Sequence, residues 1–218
     1  MVRSALDLLG RSHAAMLFDM DGTLLNSAVV TDRVWGAWAL RHDLDEQMVL
    51  AQVHGTRAVD ALRRIGVPGL EIEVEADALS HAEMLDMDGI RPIQGAAGFL
   101  TALPPNRWAI VTSSTRELAL RRLRAAGLPV PAVLVTAESM SRGKPDPEGY
   151  LAAAGALKVP IEQCLVFEDS SVGVAAGVAS GAEVIVIGET QVTDRPAIRD
   201  FMELVRIDRA GIWTSFSS

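Results

Sequence analysis

The sequence predicts an α/β fold, a doubly wound parallel sheet with a small helical cap domain inserted after the first strand. Short apolar runs at 14–18, 108–111, 132–135, 164–167 and 183–187 have the length and texture of buried strands. From residue 108 onward they alternate strictly with helical patterns, which argues for a parallel sheet covered by helices on both faces. The stretch 28–88 shows helical periodicity and nothing that reads as sheet. The expected division is an α/β catalytic core of residues 1–27 and 89–218 and a helical cap of residues 28–88, seated over the strand ends where ligands bind.

Residues 1–12 are a lead-in of low information, and the run at 14–18 is the first strand. It delivers Asp19 and Asp21, two residues apart, before Gly22 breaks the chain into a tight turn. Val30, Val34, Ala37 and Trp38 share one face of a helix over 28–40, with Ser27 as its cap. Further helices are expected at 43–53 and 56–65, the second stopped by Gly66-Val67-Pro68-Gly69. Ile72, Ala76, Leu79 and either Ala82 or Glu83 trace one side of a long acidic helix over 71–87. After Arg91-Pro92-Ile93-Gln94-Gly95 come a helix at 96–103, a turn at Pro104-Pro105-Asn106 and the strand at 108–111. A helix over 116–126 stops at Gly127, and the strand 132–135 leads through a loop to a helix at 148–157. The strand 164–167, a helix over 172–179 closed by Ser180-Gly181, and the strand 183–187 complete the alternation. In the tail, 204–207 is a candidate strand, and no function is assigned to the tail.

With 218 residues, 49% of them hydrophobic and 22% charged, the chain has the composition of an ordinary globular protein. A net charge of -8 and only two lysines, Lys144 and Lys158, disfavour nucleic acid and anionic membrane as partners. An anionic small substrate stays open if a few cations are focused in a cleft. The single cysteine, Cys164, excludes an intrachain disulfide and fits a reducing, cytoplasmic setting. The amino-terminal apolar run is too short for a signal peptide, and no apolar stretch approaches the length of a membrane span.

Polar groups gather where strands end: Asp19 and Asp21 after the first, Thr112-Ser113-Ser114 after the second, Lys144 in the loop after the third, Glu168-Asp169 on the fourth. In a parallel sheet these ends lie on one edge and converge on one crevice. Two carboxylates as close as Asp19 and Asp21 repel unless a cation or a proton intervenes. Hydroxyls and free backbone amides at a helix start suit phosphate oxygens, a lysine adds a point charge, and carboxylates such as Asp19 and Asp169 suit Mg2+. Together they describe a phosphoryl-transfer site. Plainer roles compete at several positions. Asp21-Gly22 is an ordinary turn former, Thr112 or Ser114 could cap the following helix, and Lys144 could be a solvated loop charge. Asp146 reads as a helix cap, Cys164 and Trp108 as core, Trp35 and Trp38 as packing within the cap, and His13 and His42 as structural or exposed.

Four motifs occur in order: D-M-D-G-T at 19–23, T-S-S at 112–114, the lysine of G-K-P-D-P at 143–147, and F-E-D-S at 167–170. On these the chain resembles the haloacid dehalogenase-like hydrolase superfamily over roughly 14–187. The similar branch carries a small helical cap after the first strand and holds sugar and polyol phosphate phosphatases and β-phosphoglucomutase. The resemblance implies Asp19 as a nucleophile forming an aspartyl-phosphate, and Asp21 as general acid and then base. It implies Mg2+ held by Asp19, the backbone carbonyl of Asp21 and Asp169, with Glu168 as an outer or alternative ligand. Thr112 and Ser113 would hold phosphoryl oxygens, and Lys144 would neutralise charge on the nucleophile and the transferring group. Arg57 resembles a cap arginine that reaches over substrate in related phosphotransferases. His54 is a second candidate for substrate contact, on the ground that a polar cap suits a hydrophilic substrate.

The function so implied is Mg2+-dependent hydrolysis of a small phosphorylated metabolite, a sugar or polyol phosphate of the hexose 6-phosphate or glycerol phosphate type. Phosphoglycolate phosphatase is the nearest rival. The mutase carries a histidine at the hinge into its cap, and the matching residue here is Thr31, which disfavours that activity. A haloacid dehalogenase would have no use for Asp21. A catalytically silent binding protein on this fold would be favoured if Asp19, Asp21, Lys144 or Asp169 were missing, and all are present. A monomer is the default expectation, with a homodimer as the alternative.

Overall fold

A strand of four apolar residues has no polar face to offer water, so it must be covered on both sides. In the computed structural model, which describes Leu8, residues 12–188 and residues 195–204, β1 (Ala15–Phe18) is buried throughout. β4 (Trp108–Val111) and β6 (Cys164–Glu168) flank it in parallel, with Met16 opposite both Trp108 and Leu165. β5 (Val133–Val135), β7 (Glu183–Ile187) and β8 (Ala197–Ile198) complete a six-stranded parallel sheet in the order β5-β4-β1-β6-β7-β8. The chain winds outward from β1 through β4 to β5, then crosses back and winds outward through β6. The carboxyl end of β1 therefore lies where the winding reverses, the place in such sheets where a crevice opens.

Alternation along β1 divides the core. Met16 and Phe18 join one buried cluster, and Ala15 and Leu17 join another on the opposite face. The first is covered by α5 (Ala96–Ala102), α6 (Arg116–Ala125) and Phe201, and Phe18 stacks on Phe167 with ring centroids 4.8 Å apart. The second is covered by α7 (Glu148–Leu157) and α8 (Ser171–Ser180). Helices on both faces make the sheet doubly wound, as the alternation of patterns predicts.

A third cluster belongs to the helical block of α1 (Ala28–Arg41), α2 (Glu46–Leu50), α3 (Ala58–Ile65) and α4 (Ile72–Leu85). Trp35 and Trp38 sit at its centre with Leu62 and Leu79, and Trp38 Nε1 donates to Glu75 at 2.9 Å. Where the chain leaves the sheet for this block and where it returns, β2 (Leu25–Asn26) and β3 (Arg91–Pro92) pair as an antiparallel ribbon. The sequence reading missed this ribbon, because two-residue strands carry no periodicity.

Three further expectations need correction. The helix expected at 43–53 is only five residues long; Asp45 caps it by accepting the Met48 N–H at 2.8 Å, and turns fill 51–55. Ser27 precedes α1 but does not cap it with its side chain; the Asn26 amide oxygen accepts the Ala28 N–H instead, at 3.0 Å. Leu204 is helical with 201–203, whereas the rest of the candidate strand, 205–207, lies outside the described residues. Among the described residues no helix is long and apolar enough to cross a membrane.

Candidate active site

Asp19 continues the sheet ladder one residue past β1, its N–H bonded to the Phe167 carbonyl at 2.9 Å, and this fixes its side chain at the sheet's edge. The chain then doubles back through Gly22, whose N–H bonds to Leu25 at 2.7 Å. Gly22 has φ of +90°, and a Cβ there would stand 2.0 Å from Asp169 Oδ2. Glycine is thus required twice over, for its backbone conformation and for the carboxylate packed against it. Gly173, in the first turn of α8, makes the same allowance for Glu168, whose Oε1 would meet a Cβ at 1.9 Å.

The loop between β5 and α7 brings in Lys144, buried, with its ammonium on Asp19 and 2.5 Å from Glu168. Desolvation would lower the lysine's pKa, but the two carboxylates outweigh it and hold the ammonium above its ordinary range. Burial drives the Asp19 carboxyl well above its usual value; Lys144 opposes the shift, and Glu168 and Asp169 add to it. Asp169 is pushed up to about 7, by burial first and Glu168 second, while Thr23 donates to it at 3.0 Å. Glu168 is saturated. Its Oε1 accepts from the Tyr150 hydroxyl at 2.6 Å, and its Oε2 accepts the N–H groups of Asp169 and Ser170 at 3.1 and 3.4 Å.

Asp19, Glu168 and Asp169 offer carboxylate oxygens within 4.8 Å of one another. With one ammonium among three carboxylates the cluster carries an excess of two negative charges when ionised, and its donors are hard oxygens. That donor set fits a divalent, oxygen-loving cation such as Mg2+. The engagement of both Glu168 oxygens suits it better to orienting its neighbours than to direct ligation.

Asp21 faces elsewhere. Its Oδ1 accepts from Ser27 Oγ at 2.6 Å and from Arg122 Nη1 at 2.9 Å, and its Oδ2 accepts from Ser114 Oγ at 3.0 Å. The Thr112 hydroxyl stands at 3.5 Å from the same Oδ2 and accepts the Ser114 N–H at 3.1 Å. Ser27, read from sequence as a helix cap, and Ser114, one of two candidates for the next cap, are thus bonded to Asp21. At the start of α6, the Arg116 N–H bonds instead to both oxygens of Glu138, at 2.8 and 3.0 Å.

Sequence reasoning did not single out Arg122. Buried on α6, it reaches Asp21 with one terminal nitrogen, and with the other it reaches Thr31 Oγ1 on α1 and Glu83 on α4, both at 3.2 Å. Burial raises the Glu83 carboxyl above its usual value, against the pull of Arg122. One guanidinium therefore ties the sheet edge to two helices of the block. A signal was available, since Arg122 falls in register with Leu118, Ala119 and Leu123 on the buried face of its helix.

A cavity of about 450 Å³ opens between sheet edge and helical block. Thr112, Ser113, Asp19, Asp21 and Asp169 form its floor, and Arg57 and His54 line it from the block. Ser113 Oγ donates across to the Gly55 carbonyl at 3.0 Å. Arg57 is buried and already bonded, to Asp60 at 2.6 Å and to the carbonyls of Met140 and Ser141 at 2.9 and 3.3 Å. His54 is half-exposed and faces Asp32 at 3.1 Å.

The loop that presents Lys144 is pinned by Glu148, which accepts the Ser141 N–H at 2.8 Å, the Ser141 hydroxyl at 2.7 Å and the Arg142 N–H at 2.9 Å. These bonds, led by that from the Ser141 N–H, hold its carboxyl down at about 2. A carboxyl lowered on folding stabilises the folded state above its unfolded pKa and loses that contribution as pH falls towards the folded one. Glu148→Gln is therefore expected to lower the urea midpoint at pH 7. The difference from wild type should shrink as pH falls from about 4.5 to about 2. A gap that stays constant with pH would contradict this reading of the loop.

Residues 13–181 match the family model for haloacid dehalogenase-like hydrolases. The chain is 41% identical over 183 residues to hexitol phosphatase A of Escherichia coli, covering 82% of this chain and 85% of that protein. It is 30% identical over 190 residues to glycerol-1-phosphate phosphohydrolase 2 of Saccharomyces cerevisiae, covering 81% and 75%. Among solved structures it is similar in fold to a hydrolase from Pseudomonas syringae, with a TM-score of 0.78, 24% identity and coverage of 90% and 98%. With the sheet order, the carboxylate cluster at its edge and these matches in agreement, the chain belongs to the haloacid dehalogenase-like hydrolase family.

Proposed function

We infer that the protein is a Mg2+-dependent phosphatase of small sugar or polyol phosphates that works through an aspartyl-phosphate on Asp19. The observation that carries this is the buried cluster of Asp19, Lys144, Glu168 and Asp169 opening into a cavity that the helical block covers. The similarity to phosphatases of hexitol and glycerol phosphates supports the substrate class. In this reading residues 28–88 act as a cap on a core of residues 1–27 and 89–218.

Asp19 attacks phosphorus while the bond from phosphorus to the leaving oxygen breaks, and Asp21 gives that oxygen its proton. Asp21 then takes a proton from water, whose oxygen attacks the acyl-phosphate and returns Asp19 as a carboxylate with inorganic phosphate. Lys144 offsets negative charge on Asp19 and on the transferring group, and Thr112 and Ser113 hold phosphoryl oxygens. The carboxylates of Asp19 and Asp169 and the backbone carbonyl of Asp21 would hold Mg2+, with Glu168 setting the position of Asp169. When bound, the ion supplies charge neutralisation at the phosphoryl oxygens. Arg57 closes the cap side of the cavity through its bonds to Met140 and Ser141, and His54 stands at the rim. The buried lone cysteine is in keeping with a reducing cytoplasmic setting.

Phosphate release from hexitol, hexose and glycerol phosphates, with Mg2+ and with EDTA, tests the reading. Turnover should fall by at least about 100-fold in EDTA and return on adding Mg2+. Folded protein that releases phosphate from none of these esters would overturn it.

A further inference from the structure

The part of the cavity away from Asp19 has a distinct chemistry. α4 turns one face towards it, on which Glu73, Ala76, Asp77, Ser80 and Glu83 recur at helical spacing. From the sheet side Thr115 and Glu138 line the same space, and the hydroxyls of Ser80 and Thr115 lie 3.0 Å apart across it. Hydroxyls and carboxylates thus stand on this wall beside apolar side chains such as Trp35, Val59 and Leu118.

The cations here are already matched. Arg122 divides its charge between Asp21 and Glu83, and Arg57 faces Asp60. Asp77, by contrast, has neither an ion pair nor a side-chain hydrogen bond among the described residues. Glu138 accepts the Arg116 N–H with both oxygens, which favours its charged form. One donor is also unspent: Arg122 Nε is buried and without a hydrogen-bond partner among the described residues.

We propose that this wall selects an uncharged, hydroxyl-bearing leaving group and rejects esters whose leaving group carries a carboxylate, with Asp77, Ser80 and Thr115 as its specificity-determining residues. The inference rests on the phosphatase reading above and narrows its substrate class. A polyol offers what the wall lacks. Each hydroxyl can donate to a carboxylate such as Asp77 or Glu138 and accept from Ser80 or Thr115. A second anion would meet the like charges of Asp77 and Glu138, while the two arginines that line the cavity are already paired with other carboxylates. Rejection of the wrong substrate is thus built in as repulsion as well as by fit to the right one.

The test compares kcat/KM for esters that differ only in whether one terminal carbon is a hydroxymethyl group or a carboxylate: glucitol 6-phosphate against 6-phosphogluconate, and glycerol 3-phosphate against 3-phosphoglycerate, all in saturating Mg2+. The neutral member of each pair should be favoured by at least about 30-fold. Asp77→Asn should narrow that ratio by about fivefold or more, through the KM of the acid rather than through kcat. Ser80→Ala should raise KM for the neutral member and leave that of the acid unmoved. Equal or better turnover of the acids by wild type would overturn the proposal, as would ratios that neither variant moves. p-Nitrophenyl phosphate, whose leaving group needs no such wall, separates the two failures. Its Mg2+-dependent hydrolysis alongside indifferent selectivity sinks this inference alone, and no hydrolysis of any ester sinks both.

Discussion

Asp19→Asn is expected to lower kcat by at least about 10⁴-fold on every phosphate ester, since an amide oxygen cannot serve as the nucleophile. The change is close to isosteric, and Lys144 keeps Glu168 as its partner at 2.5 Å, so the cluster retains a counter-charge. Burial already works against the ionised form of Asp19, so losing its charge removes an electrostatic cost from the metal-free protein. Thermal stability should therefore be equal to wild type or higher while activity disappears. Two measurements check this: thermal melts of both proteins, and acid quenching during turnover, which should trap a phosphoprotein in wild type and none in the variant. Turnover by the variant within tenfold of wild type would move the nucleophile elsewhere.

The second large effect is expected at Arg122, through stability as well as activity. Arg122→Met leaves the carboxylates of Asp21 and Glu83 facing each other's region without their shared cation. Breaking such a buried pair costs about 3–5 kcal/mol. Asp21 would keep Ser27 and Ser114 but lose the group that holds it from the side of α6. If Asp21 must meet the leaving oxygen, misplacing it harms esters in proportion to how much their leaving group needs a proton. On hexitol phosphates kcat/KM should fall by at least about 100-fold, and on p-nitrophenyl phosphate by less than about 10-fold. Because kcat/KM reports only the steps through phosphoenzyme formation, the later attack by water does not blur the comparison. Equal losses on both esters would show that Arg122 serves the fold alone. Arg122→Lys, which keeps the charge but not the planar fork, should fall between the two.

How much of this was legible from sequence depends on how local each cause is. Asp19, Lys144, Glu168 and Asp169 stand at strand ends or in the loops that follow, so recognising the strands was enough to bring them to one edge. The alternation along β1 even divides its residues between the two faces of the sheet. Arg122 escaped because it lies within Arg121-Arg122 and two residues before Arg124, where arginine on a helix is ordinarily solvated. Its burial shows only when the helix is placed against the sheet. Ser27 was read as a cap, and Ser114 as a candidate for one beside Thr112, because capping is a local rule, whereas both hydroxyls bond to Asp21. Arg57 resembles a cap arginine that reaches over substrate, and the sequence does not show that its guanidinium also bonds to Asp60, three residues on, and to two carbonyls of a loop more than eighty residues away. Where a side chain's partner is distant in sequence, local patterns give its type and not its target.

The ribbon of β2 and β3 has a bearing on how such a protein could diversify. Leu25 lies opposite Pro92 and Asn26 opposite Arg91, so the points of departure and return of the helical block are held side by side. A segment spliced in at such a doorway makes little demand on the sheet, and the entropy of closing it grows only slowly with its length. The sheet could then keep one bond-breaking apparatus while inserts of different size and lining come and go above it. Chemistry and taste for substrate would be inherited separately.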